Sequence, residues 1–137
     1  MDHSIRRAEL GDVDAIVEIL AETELVKDPT IKARVEALLG TSSGTCFVAE
    51  AGSTLAGALL ATFNGFHVFL SHVAVRKVHR SSGLGGELHQ ALVARAKEVG
   101  AIGIIADAWL TAVAFYCALG YRLPGAVFLI KDLGEEP

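Results

Sequence analysis

The sequence predicts an α+β domain with a mixed, mostly antiparallel sheet, and three observations predict it. Apolar runs at residues 46–51, 55–63 and 67–75 follow one another with only Gly52-Ser53 and Asn64-Gly65 between them. That spacing is an antiparallel meander, and Asn-Gly tolerates the positive φ of a tight hairpin turn. Residues 73–100 then read as strand end, glycine-rich turn and long helix. A further apolar run, 102–106, follows that helix, and a strand–helix–strand crossover places it parallel to the strand at 67–75.

The remaining elements follow in order. Residues 5–10 read as a first strand. Gly11-Asp12 opens a helix with Asp12 as candidate N-cap, and Val13, Ile16, Val17 and Leu20 repeat at helical spacing. A polar connection, 22–28, leads to a second helix opened by Asp28-Pro29, faced by Ile31, Val35, Leu38 and Leu39 and ended by Gly40. In the third helix Leu84, Leu88, Leu92, Val93 and Ala96 form the apolar face and Gly100 the stop. Residues 111–119 read as a short helix closed by Gly120. Residues 121–123 and 126–131 read as a last strand pair around Pro124-Gly125, and the tail 134–137 as frayed.

Length and composition narrow the function classes. The 137 residues suit one domain, 1–137, with a sizeable core. Hydrophobic residues make up 52% and charged residues 20%, which excludes a disordered chain. No apolar run has the length of a membrane span, and residues 1–7 contain no apolar signal core. Two cysteines, Cys46 and Cys117, make no disulfide framework, and no Cys/His group has zinc spacing, so no metal site is expected and a reduced cytoplasm is the expected location. The net charge of −4 argues against a nucleic-acid partner, whose affinity rests on phosphate neutralisation. It is compatible with a cationic or amine partner.

The stretch V-A-V-R-K-V-H-R-S-S-G-L-G-G-E-L, from Val73 to Leu88, carries the chemistry. The first turn of a helix has backbone N–H groups without intrahelical partners, and its dipole adds positive potential. Glycines let a ligand approach those groups closely. With Arg76, Lys77, His79 and Arg80 alongside, the loop suits an anion such as a phosphate or pyrophosphate. Taken alone, the glycines also suit a plain tight turn. Two nucleotide motifs are excluded. No Lys follows the last glycine, as a P-loop needs, and Gly83, Gly85 and Gly86 lack the dinucleotide-binding G-x-G-x-x-G spacing.

These residues resemble the GNAT superfamily of N-acetyltransferases. Its acyl-CoA loop, Q/R-x-x-G-x-G/A, is matched by Arg80-Ser81-Ser82-Gly83-Leu84-Gly85, and its strand end V-x-V by Val73-Ala74-Val75. A second element, A-x-x-x-Y-x-x-x-G-F/Y, is matched by Ala112, Tyr116, Gly120 and Tyr121. The resemblance covers roughly the C-terminal half. It implies a three-layer α/β/α fold and acetyl-CoA as acyl donor, attacked directly by the primary amine of a small molecule or peptide. It implies that the backbone of Val73, Ala74 and Val75 pairs with the pantetheine arm and that the amides from Arg80 to Gly86, across Ser81, Ser82, Gly83, Leu84 and Gly85, hold the pyrophosphate. It implies Tyr116 as the acid that protonates the CoA sulfur. Many relatives form homodimers, although no stripe in this sequence marks an interface.

The general base is left open among His67, His72 and water. Strict alternation along 67–75 puts His67, Phe69, Ser71, Val73 and Val75 on one face and His72 on the other, unless a bulge intervenes. Trp109 stands where many relatives carry Asn, which puts one polar contact to the carrier in doubt. Glu22, Glu24, Glu50 and Asp107 are candidates to meet a cationic acceptor, with ordinary solvated charge as the alternative. The alternative function is an acyl-CoA-binding sensor or interaction module with little catalysis.

Overall fold

The two short turns in the middle of the chain dictate the sheet. In the computed structural model, which describes residues 3–23 and 29–134, strands β2 (Phe47–Ala51), β3 (Thr54–Phe63) and β4 (His67–Val75) form the antiparallel meander. β1 (His3–Arg7) adds antiparallel to β2, and β5 (Gly103–Ala106) adds parallel to β4, giving the order β1-β2-β3-β4-β5. The Asn64 side-chain oxygen closes the β3–β4 turn by accepting from the N–H groups of Phe66 and His67, both at 2.9 Å.

Helices cover both faces because both faces are apolar. α1 (Val13–Ala21) and α2 (Ile31–Thr41) bury Ile16, Ile19, Leu20 and Val35 against Val48, Ala58, Leu60 and Ala74. On the other face α3 (Leu84–Glu98) buries Leu84, Leu88 and Leu92 against Leu59, Val68 and Leu70, with Tyr116 of α4 (Val113–Ala118) at the edge of that core. Each fully buried aliphatic side chain contributes about 1.5–3 kcal/mol. The expected three-layer α/β/α architecture is present. No helix of the described residues is long and apolar enough to cross a membrane.

The structure corrects several element boundaries. The first strand ends at Arg7, and residues 10–12 form a 3-10 turn. Asp12 closes that turn and stands at the N-cap position of α1, as expected, but its side chain makes no hydrogen bond to α1. Its carboxylate accepts from the two terminal guanidinium nitrogens of Arg6, both at 2.8 Å, and from the Glu9 N–H at 2.7 Å, which holds its pKa below the ordinary value. α2 runs through Gly40 to Thr41. Its expected opening residue Asp28, and most of the connection 22–28, lie outside the described residues.

The expected strand pair at 121–123 and 126–131 is absent. A strand needs an edge to pair with and a face to bury. Residues 122–134 are exposed throughout, and the run meets the sheet through the ring of Phe128 stacked on Phe69, not through a strand edge.

A bulge in β4 has the largest consequence for the site. Leu60 pairs with His72 and the next residue, Ala61, pairs with Leu70, so Ser71 is an extra residue in β4. One extra residue reverses the alternation. Val68, Leu70, Val73 and Val75 therefore all belong to the α3 face, while Ala74 packs into the α1–α2 core and His72 lies opposite Leu60 on that same side. The expected grouping of Ser71 with Val73 and Val75, and of Val68 and Leu70 with His72, is thereby overturned.

Candidate active site

Pairing between β4 and β5 runs from His67–Gly103 to Leu70–Ala106 and stops at the bulge. One more bond, from the Asp107 N–H to the Leu70 carbonyl at 3.0 Å, closes the ladder. From Ser71 to Val75, β4 has no strand neighbour on that side among the described residues. A wedge opens there between the two strands.

A cleft of about 470 Å³ occupies the α3 side of this region. Of the residues expected to hold the carrier, Val73, Val75, Arg80, Ser81, Gly83, Leu84, Gly85 and Gly86 line it, joined by the expected acid Tyr116 and by His79, Ala112 and Phe115. Two do not. Ala74 is buried in the α1–α2 core, and the Ser82 hydroxyl donates to the His79 carbonyl.

The loop between β4 and α3 is held from outside the cleft. Arg76 donates through Nε to the Leu55 carbonyl at 2.8 Å and pairs with Glu22 at 3.0 Å and Glu18 at 3.3 Å. Glu22 also accepts from the Lys77 N–H at 3.0 Å, the main reason its carboxyl titrates below the ordinary range. Arg76 is thus a structural cation, leaving Lys77, His79 and Arg80 as the loop's exposed or half-exposed basic groups. Gly83, with φ of +84°, turns the chain into α3 at a backbone conformation L side chains avoid. Ser81, at φ +67°, shares that left-handed conformation without being glycine. At Gly86 an added Cβ meets nothing within 4 Å, so that glycine leaves open space over the first turn of α3.

Tyr116 is buried on the cleft wall, with Phe115 edge-on at 5.1 Å and Tyr121 edge-on at 5.3 Å between ring centres. Both members of the α4 aromatic pair reach the cleft, Phe115 as the more exposed one. Burial raises the Tyr116 pKa, and the Asp107 charge raises it further, so the phenol keeps its proton well past neutrality.

His72 is the second titratable group of this region. Its Nδ1 lies 2.9 Å from the Ser71 hydroxyl oxygen, and that hydroxyl donates its one proton to the Leu60 carbonyl at 3.2 Å. The hydroxyl oxygen therefore accepts from Nδ1–H, and the Nε2 lone pair remains available. Burial pushes the imidazole pKa down, opposed in part by Asp107. Asp107 acts on both His72 and Tyr116, so the three groups share one field. His67 stands apart at the start of β4, beside Gly103. Ser71 and Asp107 are the residues whose part in this arrangement the sequence does not disclose. The one signal is Ser71-His72, two successive polar residues that break the alternation of an apolar strand.

The sequence model of the acetyltransferase (GNAT) family matches residues 13–121. The chain belongs to the GNAT acetyltransferase family. A relative from Bacillus subtilis (strain 168), the uncharacterized N-acetyltransferase YjcF, is 44% identical over 54 residues, a match spanning 39% of this chain and 39% of that protein. Two solved structures illustrate how closely this GNAT chain keeps the fold. The aminoglycoside N-acetyltransferase AAC(6')-Iy, in complex with the bisubstrate analog CoA-S-monomethyl-acetylneamine, superposes with a TM-score of 0.80 at 18% identity, covering 96% of this chain and 99% of that one. Ard1 from Thermoplasma volcanium superposes at 0.79 with 19% identity, covering 91% and 86%. At such identities the likeness concerns the fold. The GNAT fold accounts for the layers; the wedge, bulge and loop of this chain carry the site.

Proposed function

We propose that this chain transfers an acetyl group from acetyl-CoA to a primary amine by direct attack. The observation that carries the reading is the β4 bulge at Ser71, where pairing with β5 ends, with His72 next to it and the Asp107 charge acting on both His72 and Tyr116. The residues present fit the carrier. The first-turn amides of α3, the open space over Gly86 and the basic Lys77, His79 and Arg80 suit a pyrophosphate. The β4 backbone at Val73 and the Val75 N–H, beyond the last β4–β5 pair, suit an extended amide chain, while the Val75 carbonyl accepts from Arg80 Nε at 3.1 Å.

When bound, acetyl-CoA supplies a thioester carbonyl. His72 takes, on Nε2, the proton the amine nitrogen loses as the C–N bond forms. Tyr116 gives its phenolic proton to the sulfur as the C–S bond breaks. The thioester and the amine become an amide and a thiol, and a proton passing from His72 to Tyr116 through solvent restores both groups. The alternative of a catalytically idle acyl-CoA sensor rests on a missing base, and His72 with a free Nε2 supplies one.

Calorimetric titration of acetyl-CoA, followed by amine-dependent thiol release, tests the reading. Gly86→Val fills the open space over α3 without meeting any neighbour and with no strained φ. The expected result is saturable binding by the native chain, at least tenfold weaker in Gly86→Val at unchanged melting temperature. Equal binding by both would remove the carrier from this cleft.

A further inference from the structure

A second cleft, of about 480 Å³, lies beside the carrier cleft and is lined by Thr23, Trp109, Leu110 and Thr111. The last three directly precede Ala112, which lines the carrier cleft, so the two spaces adjoin along residues 109–112. Among the described residues none of this lining is charged. Trp109 is 68% exposed and Leu110 91% exposed, so neither belongs to the core. Large apolar side chains held in water at the mouth of a site are ligand surface more readily than fold support.

Among the described residues, the other acids that could have met a polycation are engaged elsewhere; Glu24 lies outside the described residues. Glu22 is held by Arg76 and the Lys77 N–H, Glu18 by Arg76, and Glu50 by Arg6 at 2.9 Å. Asp107, whose charge acts on both His72 and Tyr116, bonds through its N–H to the Leu70 carbonyl beside the bulge and lies two residues before Trp109. Among the described residues the site thus offers one negative charge at the reacting end and an apolar wall of Trp109 and Leu110 beyond it. We infer that the acceptor is a monoamine with an aromatic or branched apolar body, its nitrogen towards Asp107 and its body on Trp109 and Leu110. This rests on the acetyl-transfer reading and names the acceptor class for it. A polyamine or aminoglycoside would leave its further ammonium groups against uncharged wall, without partners to replace lost hydration. Trp109, an obstacle to a polar contact in the sequence motif, becomes the specificity residue.

The test compares thiol release from acetyl-CoA with 2-phenylethylamine, ethylamine, spermidine and kanamycin, for the native chain and for Trp109→Ala, Trp109→Phe and Leu110→Ala. The inference expects kcat/KM for 2-phenylethylamine to exceed that for spermidine and kanamycin at least tenfold. It expects Trp109→Ala to lower kcat/KM for 2-phenylethylamine by roughly tenfold, through KM, the scale on which apolar contacts discriminate substrates. Trp109→Phe should restore most of the loss and Leu110→Ala reproduce part of it. Ethylamine, too short to lie on Trp109, should lose several-fold less than 2-phenylethylamine in all three. Preference for spermidine or kanamycin, or an equal loss with ethylamine, would overturn the inference. Acetyl-CoA binding with no turnover of any of these amines would also overturn it, while leaving the carrier site standing. Absence of acetyl-CoA binding would instead strike the reading beneath it.

Discussion

One hydroxyl proton decides which nitrogen of His72 is free. Because Ser71 Oγ–H is held by the Leu60 carbonyl, the imidazole keeps its proton on Nδ1 and presents Nε2. The burial that lowers its pKa below the ordinary 6.5 also keeps it unprotonated at neutral pH. A general base must be empty to act, so kcat should sit on its plateau at pH 7 and fall only as pH drops below 6.5. His72→Gln should remove that acid limb and lower kcat by about 10²-fold or more, with acetyl-CoA affinity unchanged. Tyr116 works in the opposite sense. Its pKa is raised from 10, so the acid form persists through the alkaline range, and Tyr116→Phe should lower kcat without moving the acid limb. A pH profile of kcat for the two variants checks both. A single limb unchanged in His72→Gln would return the base role to solvent. Tyr116 and the candidate His72 were legible in the sequence, and so was the place of His72 opposite Val73 and Val75; the bulge at Ser71, which brings Val68 and Leu70 to the side of Val73, was not. That bulge arises from pairing with β3, a partner a local pattern does not contain.

The glycine loop and its helix were legible, because their physics is local: an apolar strand end, a turn with special backbone angles and a helical repeat need no distant residue to be recognised. The final strand pair was misread for the converse reason. Its residues have strand composition, but pairing is a property of two segments, and the chain brings no edge to residues 126–131. The same contrast separates two glycines of the loop. Gly83 is required by its φ of +84°, whereas Gly86 lies in the first turn of α3 with nothing around an added Cβ. Gly83→Ala should therefore destabilise the fold by about 1–2 kcal/mol, the cost of an L residue in the left-handed region. Gly86→Ala should stabilise it by up to about 1 kcal/mol through helix propensity. Denaturant melts of the two variants check the sign. Shifts in the same direction would mean that the loop conformation, and the cradle built on it, is not the one described.

At the scale of the molecule, the order of layers follows from patterning, but the joints between layers do not. One such joint is the hydrogen bond of 2.7 Å between His89 Nε2 in α3 and the Tyr121 hydroxyl after α4. His89 falls on the buried face of α3, yet it is a polar residue among leucines, and the sequence alone did not show what satisfies it. Tyr121, read there only as a motif match, is the answer. Burial lowers the His89 pKa from 6.5 and pushes that of Tyr121 up to about 12, so at neutral pH both are uncharged. A histidine held neutral when folded binds fewer protons than it does unfolded once the pH falls below 6.5. The stability this confers is complete above the unfolded pKa and is lost as pH falls towards the folded one. His72 carries a shift of the same sign, so the two should act together. The free energy of unfolding should be flat from pH 7 to 9 and decline below pH 6.5, by at most about 1.4 kcal/mol per pH unit for each histidine. His89→Gln should flatten part of that decline. Tyr121→Phe should cost about 1 kcal/mol at pH 8, where His89 loses its partner but gains no charge. Urea melts at a series of pH values read both effects. A decline of equal steepness in His89→Gln would assign the acid sensitivity to His72 or to the carboxylates, among them Asp12, whose lowered pKa gives the same sign in a more acidic window.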